Sequence, residues 1–177
     1  MKDKFNPESL KSLVADFKDF PQPGVIFRDI SPLLANPAAF TAATQAMASN
    51  FQESSITRVA GIESRGFLFG PAVASILGVG FSPIRKAGKL PGDTMAESYG
   101  LEYGRDTLEI QANAITTKDR VLLADDVLAT GGTLAAAARL VTSTGAVVAG
   151  ATVLIELDFL NGREQLGALD VAAVVHY

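Results

Sequence analysis

Short apolar runs, each closed by a polar or glycine-bearing turn and then followed by a stretch with helical spacing, recur through most of this chain. Arg58-Val59-Ala60-Gly61-Ile62 reads as a buried strand, Glu63-Ser64-Arg65-Gly66 as a turn, Phe67 to Leu77 as a helix and Gly80 to Ile84 as the next strand. The pattern returns with a strand at Arg120 to Ala124, a helix from Thr133 to Thr144 capped by Gly145, and strands at Val147 to Leu154 and Val171 to Val175. Strands alternating with helices predict an α/β fold: a largely parallel, twisted sheet flanked by helices. Ahead of this unit the spacing predicts a helix over Pro7 to Phe17, a Pro/Gly-rich loop at Phe20 to Gly24 and an Ala-rich helix over Pro37 to Phe51. Two stretches lack a period. One, Arg85 to Arg105, is polar and broken by glycine and proline, as disordered segments and functional lids are; Leu108 to Ile110 would be a short strand at its border. The other is Glu156 to Leu169.

The chain's 177 residues suit one domain, and 48% hydrophobic with 19% charged residues is a globular balance. A mean hydropathy of +0.26 raises the question of a membrane span. No apolar run approaches the roughly 20 residues a spanning helix needs, so the surplus points to a well-buried sheet and a subunit interface. The amino-terminal residues carry no apolar signal core, and cytoplasm is the expected location. With no cysteine and one histidine, His176, thiolate chemistry is excluded, and a Ser-His-Asp triad or a poly-His metal site is disfavoured. The net charge of −4 argues against nucleic acid as a partner.

The most informative segment runs from Val121 to Thr133, VLLADDVLATGGT. An apolar strand delivers Asp125 and Asp126 to its carboxyl end, where open α/β sheets bind ligands. Ala129, Thr130, Gly131, Gly132 and Thr133 then open a helix. The glycines let backbone N–H groups turn inward, the threonines add hydroxyl donors, and the helix N-terminus supplies positive potential: a phosphate pocket. Two carboxylates facing that phosphate would repel it, but they suit the neutral 2′ and 3′ hydroxyls of a ribose. Phosphate at one end and a diol at the other describe a ribose 5-phosphate. Taken apart, an Asp-Asp pair is as well a helix cap or metal pair, and Gly-Gly an ordinary turn. The string lacks the lysine of a P-loop and the spacing of a dinucleotide fingerprint.

As a whole, this string resembles the phosphoribosyl-pyrophosphate motif of the type I phosphoribosyltransferases. Phe27 to Pro32, Gly61 to Gly70, Arg85 to Gly92 and Tyr99 to Gly104 look, in that order, like the adenine-specific members, and the likeness spans about Phe20 to Leu166. It implies transfer of the 5-phosphoribosyl group from 5-phosphoribosyl-1-pyrophosphate to adenine, with Mg²⁺ held mainly by the substrate, in a homodimer. It also implies one domain with an N-terminal hood (about residues 1–36) and a lid loop (about residues 85–107). By resemblance Ser64 and Arg65 hold pyrophosphate in a turn that is cis in the family, and Arg85, Lys86 and Lys89 give it a second grip. Glu102 and Tyr103 work in the lid, where Glu102 meets the purine's imidazole edge. In the hood, backbone groups of Ile26 and Arg28 read adenine beside Phe27, and Leu157 and Phe159 form the far wall. The competing readings are a surface arginine after a turn, a solvated basic face, a purely structural Tyr-Gly hairpin and a buried Phe-Arg pair.

Two rival functions fit parts of the pattern. A phosphoribosyltransferase for hypoxanthine, guanine or xanthine would carry a lysine against the 6-oxo group and no Phe-Arg-Asp-Ile-Ser-Pro hood. A nucleic-acid-binding regulator that keeps the pocket as a sensor would need a basic face or an added helix-turn-helix.

Overall fold

The computed structural model describes residues 6–101 and 104–177. Helices α1 (Pro7–Lys11), α2 (Ser31–Ala35), α3 (Pro37–Ser49), α4 (Gly66–Leu77) and α5 (Gly132–Ser143) alternate with strands. The strands are β1 (Ala15–Lys18), β2 (Ile26–Asp29), β3 (Arg58–Ile62), β4 (Gly80–Lys86), β5 (Thr94–Leu101), β6 (Gly104–Gln111), β7 (Arg120–Leu128), β8 (Val147–Glu156) and β9 (Val171–His176). The main sheet is seven-stranded in the order β5-β6-β4-β3-β7-β8-β9. β4, β3, β7, β8 and β9 run parallel, and the β5–β6 hairpin joins antiparallel along β4. The fold is mixed α/β, as the alternation predicts.

Strand β7 shows why the central strands read as unbroken apolar runs. Val121 and Leu123 pack on the α5 side of the sheet, and Leu122 and Ala124 on the α3–α4 side. All four are fully buried, because helices cover both faces. Helix α3 begins where Asn36 accepts hydrogen bonds from the N–H groups of Ala38 and Ala39, with Pro37 at its first position. Gly145, at φ +85°, follows the end of α5 in the left-handed conformation expected of it.

Two expectations are corrected. The helix predicted over Pro7 to Phe17 stops at Lys11. Leu10, Leu13, Val14 and Phe17 carry helical spacing, but Ala15–Lys18 pairs antiparallel with β2, and its ladder displaces the helix. The aperiodic stretch from Arg85 is largely strand: β5 and β6 pair from Thr94↔Gln111 to Leu101↔Gly104. Among the described residues no helix is long and apolar enough to cross a membrane.

The chain leaves β3 through α4 to β4 on one side, then returns through β7 on the other. The crevice between the carboxyl ends of β3 and β7 is therefore the topological switch point, where such sheets bind ligands.

Candidate active site

A cleft of about 390 Å³ opens at that switch point. The turn after β3, the end of β4, the β5–β6 hairpin, the end of β7 and the start of α5 all contribute to its wall. The Glu63–Ser64 peptide bond in the first of these is cis. Gly66, which starts α4, is fixed by a close approach: a Cβ there would lie 2.7 Å from the Ala124 carbonyl oxygen and 3.1 Å from Asp125 Oδ1. Any other residue would push α4 away from the carboxylates at the end of β7.

Asp125 and Asp126 lie within β7 rather than in the loop beyond it, and Asp125 is paired in register with Val153. The Asp126 N–H donates to Asp125 Oδ1 at 2.9 Å. Asp126 is only 4% exposed. Its Oδ2 lies 2.8 Å from Arg65 Nε, yet accepts no aligned hydrogen bond. Burial raises both carboxyls above the ordinary aspartate value; the charge of Asp126 raises Asp125 further, and Arg65 pulls Asp126 back. Asp125 is only half-buried beside it, and Asp126 Oδ2 is, among the described residues, the one buried oxygen of the pair left without an aligned donor, so the two carboxylates can accept from hydroxyls in the cleft.

The glycine turn expected to hold phosphate follows directly. Gly131 caps α5 at φ +87°, and a Cβ there would fall 2.2 Å from the Gly162 carbonyl oxygen, so only glycine fits. The loop Ala129–Thr133 lines the cleft with the N-terminus of the 12-residue α5 behind it. That geometry presents N–H groups and positive potential to an anion.

Among the described residues, the lysines and arginines at this end are already paired. Lys86 Nζ is 2.9 Å from Asp106 Oδ2. Arg85 Nε is 3.1 Å from Glu63 Oε2, and Lys89 Nζ bonds Glu63 Oε1. Burial alone would raise the Glu63 carboxyl, but hydrogen bonds from Lys89, Arg85 and the Lys86 N–H hold it at about 2. Of the three basic residues expected to grip pyrophosphate, Lys86 lines the cleft, while Arg85 and Lys89 turn to Glu63.

The hood residues stand apart from the cleft wall. Ile26 is exposed and Phe27 pairs across the hairpin with Phe17. The Arg65 guanidinium carbon is 5.1 Å from the Phe27 ring centroid, so one arginine spans both regions. Arg28 pairs with Asp16 and stacks 3.8 Å over the Tyr177 ring. Leu157 sits beside the end of β7, its N–H donating to the Leu128 carbonyl at 2.9 Å. Phe159 is 66% exposed. Glu102 and Tyr103 lie outside the described residues.

Glu63, Tyr99 and Asp106 also line the cleft and escaped the sequence reading. The signal for the last two was register: strands paired about the Tyr-Gly-x-x-Tyr-Gly turn set Asp106 opposite Tyr99. A second cluster, Glu156, Asp158 and His176, has ligand atoms within 4.8 Å of one another. Arg163, however, binds both Glu156 oxygens at 2.7 Å.

Comparison with known proteins agrees with this geometry. Residues 29–170 match the family model described as a phosphoribosyl transferase domain. The adenine phosphoribosyltransferase of Nitrosococcus oceani is 51% identical over 170 residues, which cover 96% of this chain and 99% of that protein. The crystal structure of adenine phosphoribosyltransferase from Rhodothermus marinus superposes with a TM-score of 0.92 at 50% identity, covering 96% of this chain and 97% of that one. The Saccharomyces cerevisiae enzyme, solved with D-2,5-dideoxy-2,5-imino-altritol 1,6-bisphosphate and adenine, gives a TM-score of 0.91 at 42% identity, covering 95% and 97% of the two chains. With half of its positions identical over almost the full length of both chains, this chain belongs to the phosphoribosyltransferase family and, within it, to the adenine phosphoribosyltransferases.

Proposed function

We propose that the protein transfers the 5-phosphoribosyl group of 5-phosphoribosyl-1-pyrophosphate to adenine, giving AMP and pyrophosphate. The observation that carries this reading is the meeting of the carboxylate pair, Asp125 and Asp126, with the Ala129–Thr133 cradle in one cleft. The adenine complex of the yeast relative supports adenine as the base. The 5-phosphate sits against the N–H groups of Gly131 to Thr133 and the Thr130 and Thr133 hydroxyls. The ribose hydroxyls donate to Asp125 and Asp126, whose pKa values burial raises above the ordinary aspartate value. Pyrophosphate leaves toward Ser64, Arg65 and Lys86, and a purine nitrogen attacks the oxocarbenium-like ribose carbon from the opposite face, with inversion. The protein positions the partners and stabilises separating charge.

Buried Asp126 Oδ2, free of aligned hydrogen bonds, together with its neighbour Asp125, fits a hydrated Mg²⁺ reached through water and substrate oxygens. That ion would neutralise charge on the departing pyrophosphate. The hood holds adenine between Phe27 and the wall at Leu157 and Phe159. The β5–β6 hairpin acts as the lid, excluding water from the reacting carbon; the roles assigned to Glu102 and Tyr103 belong to that closure. Exposed Leu68 and Ile76 on α4 support a homodimer, and the cytoplasm is the proposed location.

Purified protein incubated with Mg²⁺, phosphoribosyl pyrophosphate and each of adenine, hypoxanthine and guanine should release pyrophosphate and nucleotide with adenine, and at least a hundredfold slower with the 6-oxopurines. Equal or faster turnover of hypoxanthine would reassign the base. Inertness toward all three would end the reading.

A further inference from the structure

Four side chains form a chain of contacts across the cleft wall. Lys86 Nζ lies 2.9 Å from Asp106 Oδ2; the Tyr99 hydroxyl donates to the same oxygen at 3.4 Å; and Thr133 Oγ1 of the phosphate cradle donates to that hydroxyl at 3.3 Å. The hairpin builds it, since Tyr99 stands opposite Asp106 on the paired strands. Asp106 is held from behind as well, its Oδ1 accepting the Thr107 N–H at 2.9 Å. The carboxylate is therefore held at both oxygens, whereas the Lys86 side chain is 52% exposed on a flexible four-carbon stem.

A fixed negative charge in the wall of a cleft that must admit pyrophosphate opposes that ligand. From the contact geometry we infer that Asp106 is a positioning residue that competes with pyrophosphate for Lys86, and thereby sets how tightly pyrophosphate is held and how readily it is released. The inference rests on the function proposed above. An exposed ion pair contributes little, so it can be exchanged for a ligand phosphate at small cost. The pairing keeps Asp106 ionised at neutral pH, its carboxyl lowered chiefly by the Lys86 hydrogen bond. When Lys86 turns to the ligand, Tyr99 keeps donating to Asp106, so the carboxylate is not left bare. When pyrophosphate loosens, the carboxylate retakes the ammonium and the anion loses one of its cations.

The test is calorimetric titration of Mg²⁺–pyrophosphate into wild type, Asp106→Asn, Lys86→Met and Tyr99→Phe, with product inhibition by pyrophosphate measured in parallel. Asp106→Asn keeps an acceptor for Tyr99 but removes the charge. It should bind pyrophosphate about tenfold tighter, with the inhibition constant and kcat both falling. Lys86→Met should bind it more weakly. Tyr99→Phe, which strips Asp106 of its second partner, should bind it about threefold more weakly. A structural role alone would never tighten the ligand. Unchanged or weaker binding by Asp106→Asn overturns the inference, as does a Lys86→Met protein that binds like wild type. If Asp106→Asn does not fold, Tyr99→Phe decides, and unchanged or tighter binding overturns it. A wild-type protein that neither binds pyrophosphate nor makes AMP sinks the functional reading instead.

Discussion

A carboxylate set deep in a cleft, with another carboxylate beside it, is less stable charged than it would be in the unfolded chain. Asp125 is in that position though only half-buried, raised well above its ordinary value by burial and then by Asp126. The sign follows. An acid whose folded pKa lies above its unfolded one contributes stability below the unfolded value, near 3.8, and loses it as pH rises toward the folded value. At neutral pH the pair costs the protein stability, which the hydroxyls of the proposed ribose ligand would recover. Asp125→Asn keeps the oxygen that accepts the Asp126 N–H and removes the repulsion. Its Tm at pH 7 should rise by about 2–4 °C, a gain of ~1 kcal/mol, and the gain should vanish near pH 3. Affinity for phosphoribosyl pyrophosphate should fall at the same time, because an amide is the weaker acceptor for a ribose diol. Thermal melts across pH with a binding titration read both. A variant that is less stable at pH 7, or that binds as tightly as wild type, contradicts the account.

At the scale of elements, the cradle depends on contact between two loops. A Cβ on Gly131 would strike the Gly162 carbonyl oxygen, and one on Gly162 would come within 2.2 Å of the Ala129 carbonyl oxygen. The loop after β7 and the 3-10 turn at Gly162–Leu166 thus interlock with their backbones in close approach. Gly131→Ala adds the left-handed strain of roughly 1–2 kcal/mol to that clash. It should lower Tm by several degrees and raise the KM for phosphoribosyl pyrophosphate at least tenfold while leaving that for adenine nearly unchanged. Equal effects on both substrates would mean the loop is not a dedicated phosphate cradle. This loop was legible in the sequence because its chemistry is local: strand, carboxylates, glycines and helix follow within 13 residues, Val121 to Thr133. The central strands were legible too, since burial on both faces leaves unbroken apolar runs. Of the β5–β6 hairpin only Leu108 to Ile110 was legible as strand, and its Tyr-Gly stretch as a hairpin only on a competing reading. Its outer positions are polar, and only pairing with β4 and cover from α5 bury Tyr99, Leu108 and Ile110. Helix α1 was overdrawn for the converse reason: a true apolar period continued into a strand that a distant partner, β2, claims. The roles of Glu63 and Asp106 depend on side chains brought together from different strands, which spacing along the chain does not reveal.

Across the whole molecule the cleft is a balance of opposed charges, and its acidic members respond to pH in opposite directions. Glu63 is the counterpart of Asp125. It joins the end of β3 to β4 and the loop beyond, accepting from Arg85, Lys89 and the Lys86 N–H. Against the cost of burial, those donors hold its carboxyl at about 2, below the ordinary 4.5. A depressed acid contributes stability that is fully present above its unfolded pKa and is lost as pH falls through the folded one. The window is therefore pH 4.5 down to about 2. Arg85 and Lys89 are 34% and 46% exposed, so solvent screening discounts the contribution to about 1 kcal/mol. Glu63→Gln should then melt about 2–4 °C below wild type at pH 7, the gap closing as pH approaches 2. Freed from Glu63, Arg85 and Lys89 become available to pyrophosphate, so the same variant should bind that anion more tightly even as it becomes less stable. A pH-independent gap would show that Glu63 acts through packing. Weakened pyrophosphate binding would show that the carboxylate orients these cations for the ligand rather than withholding them from it.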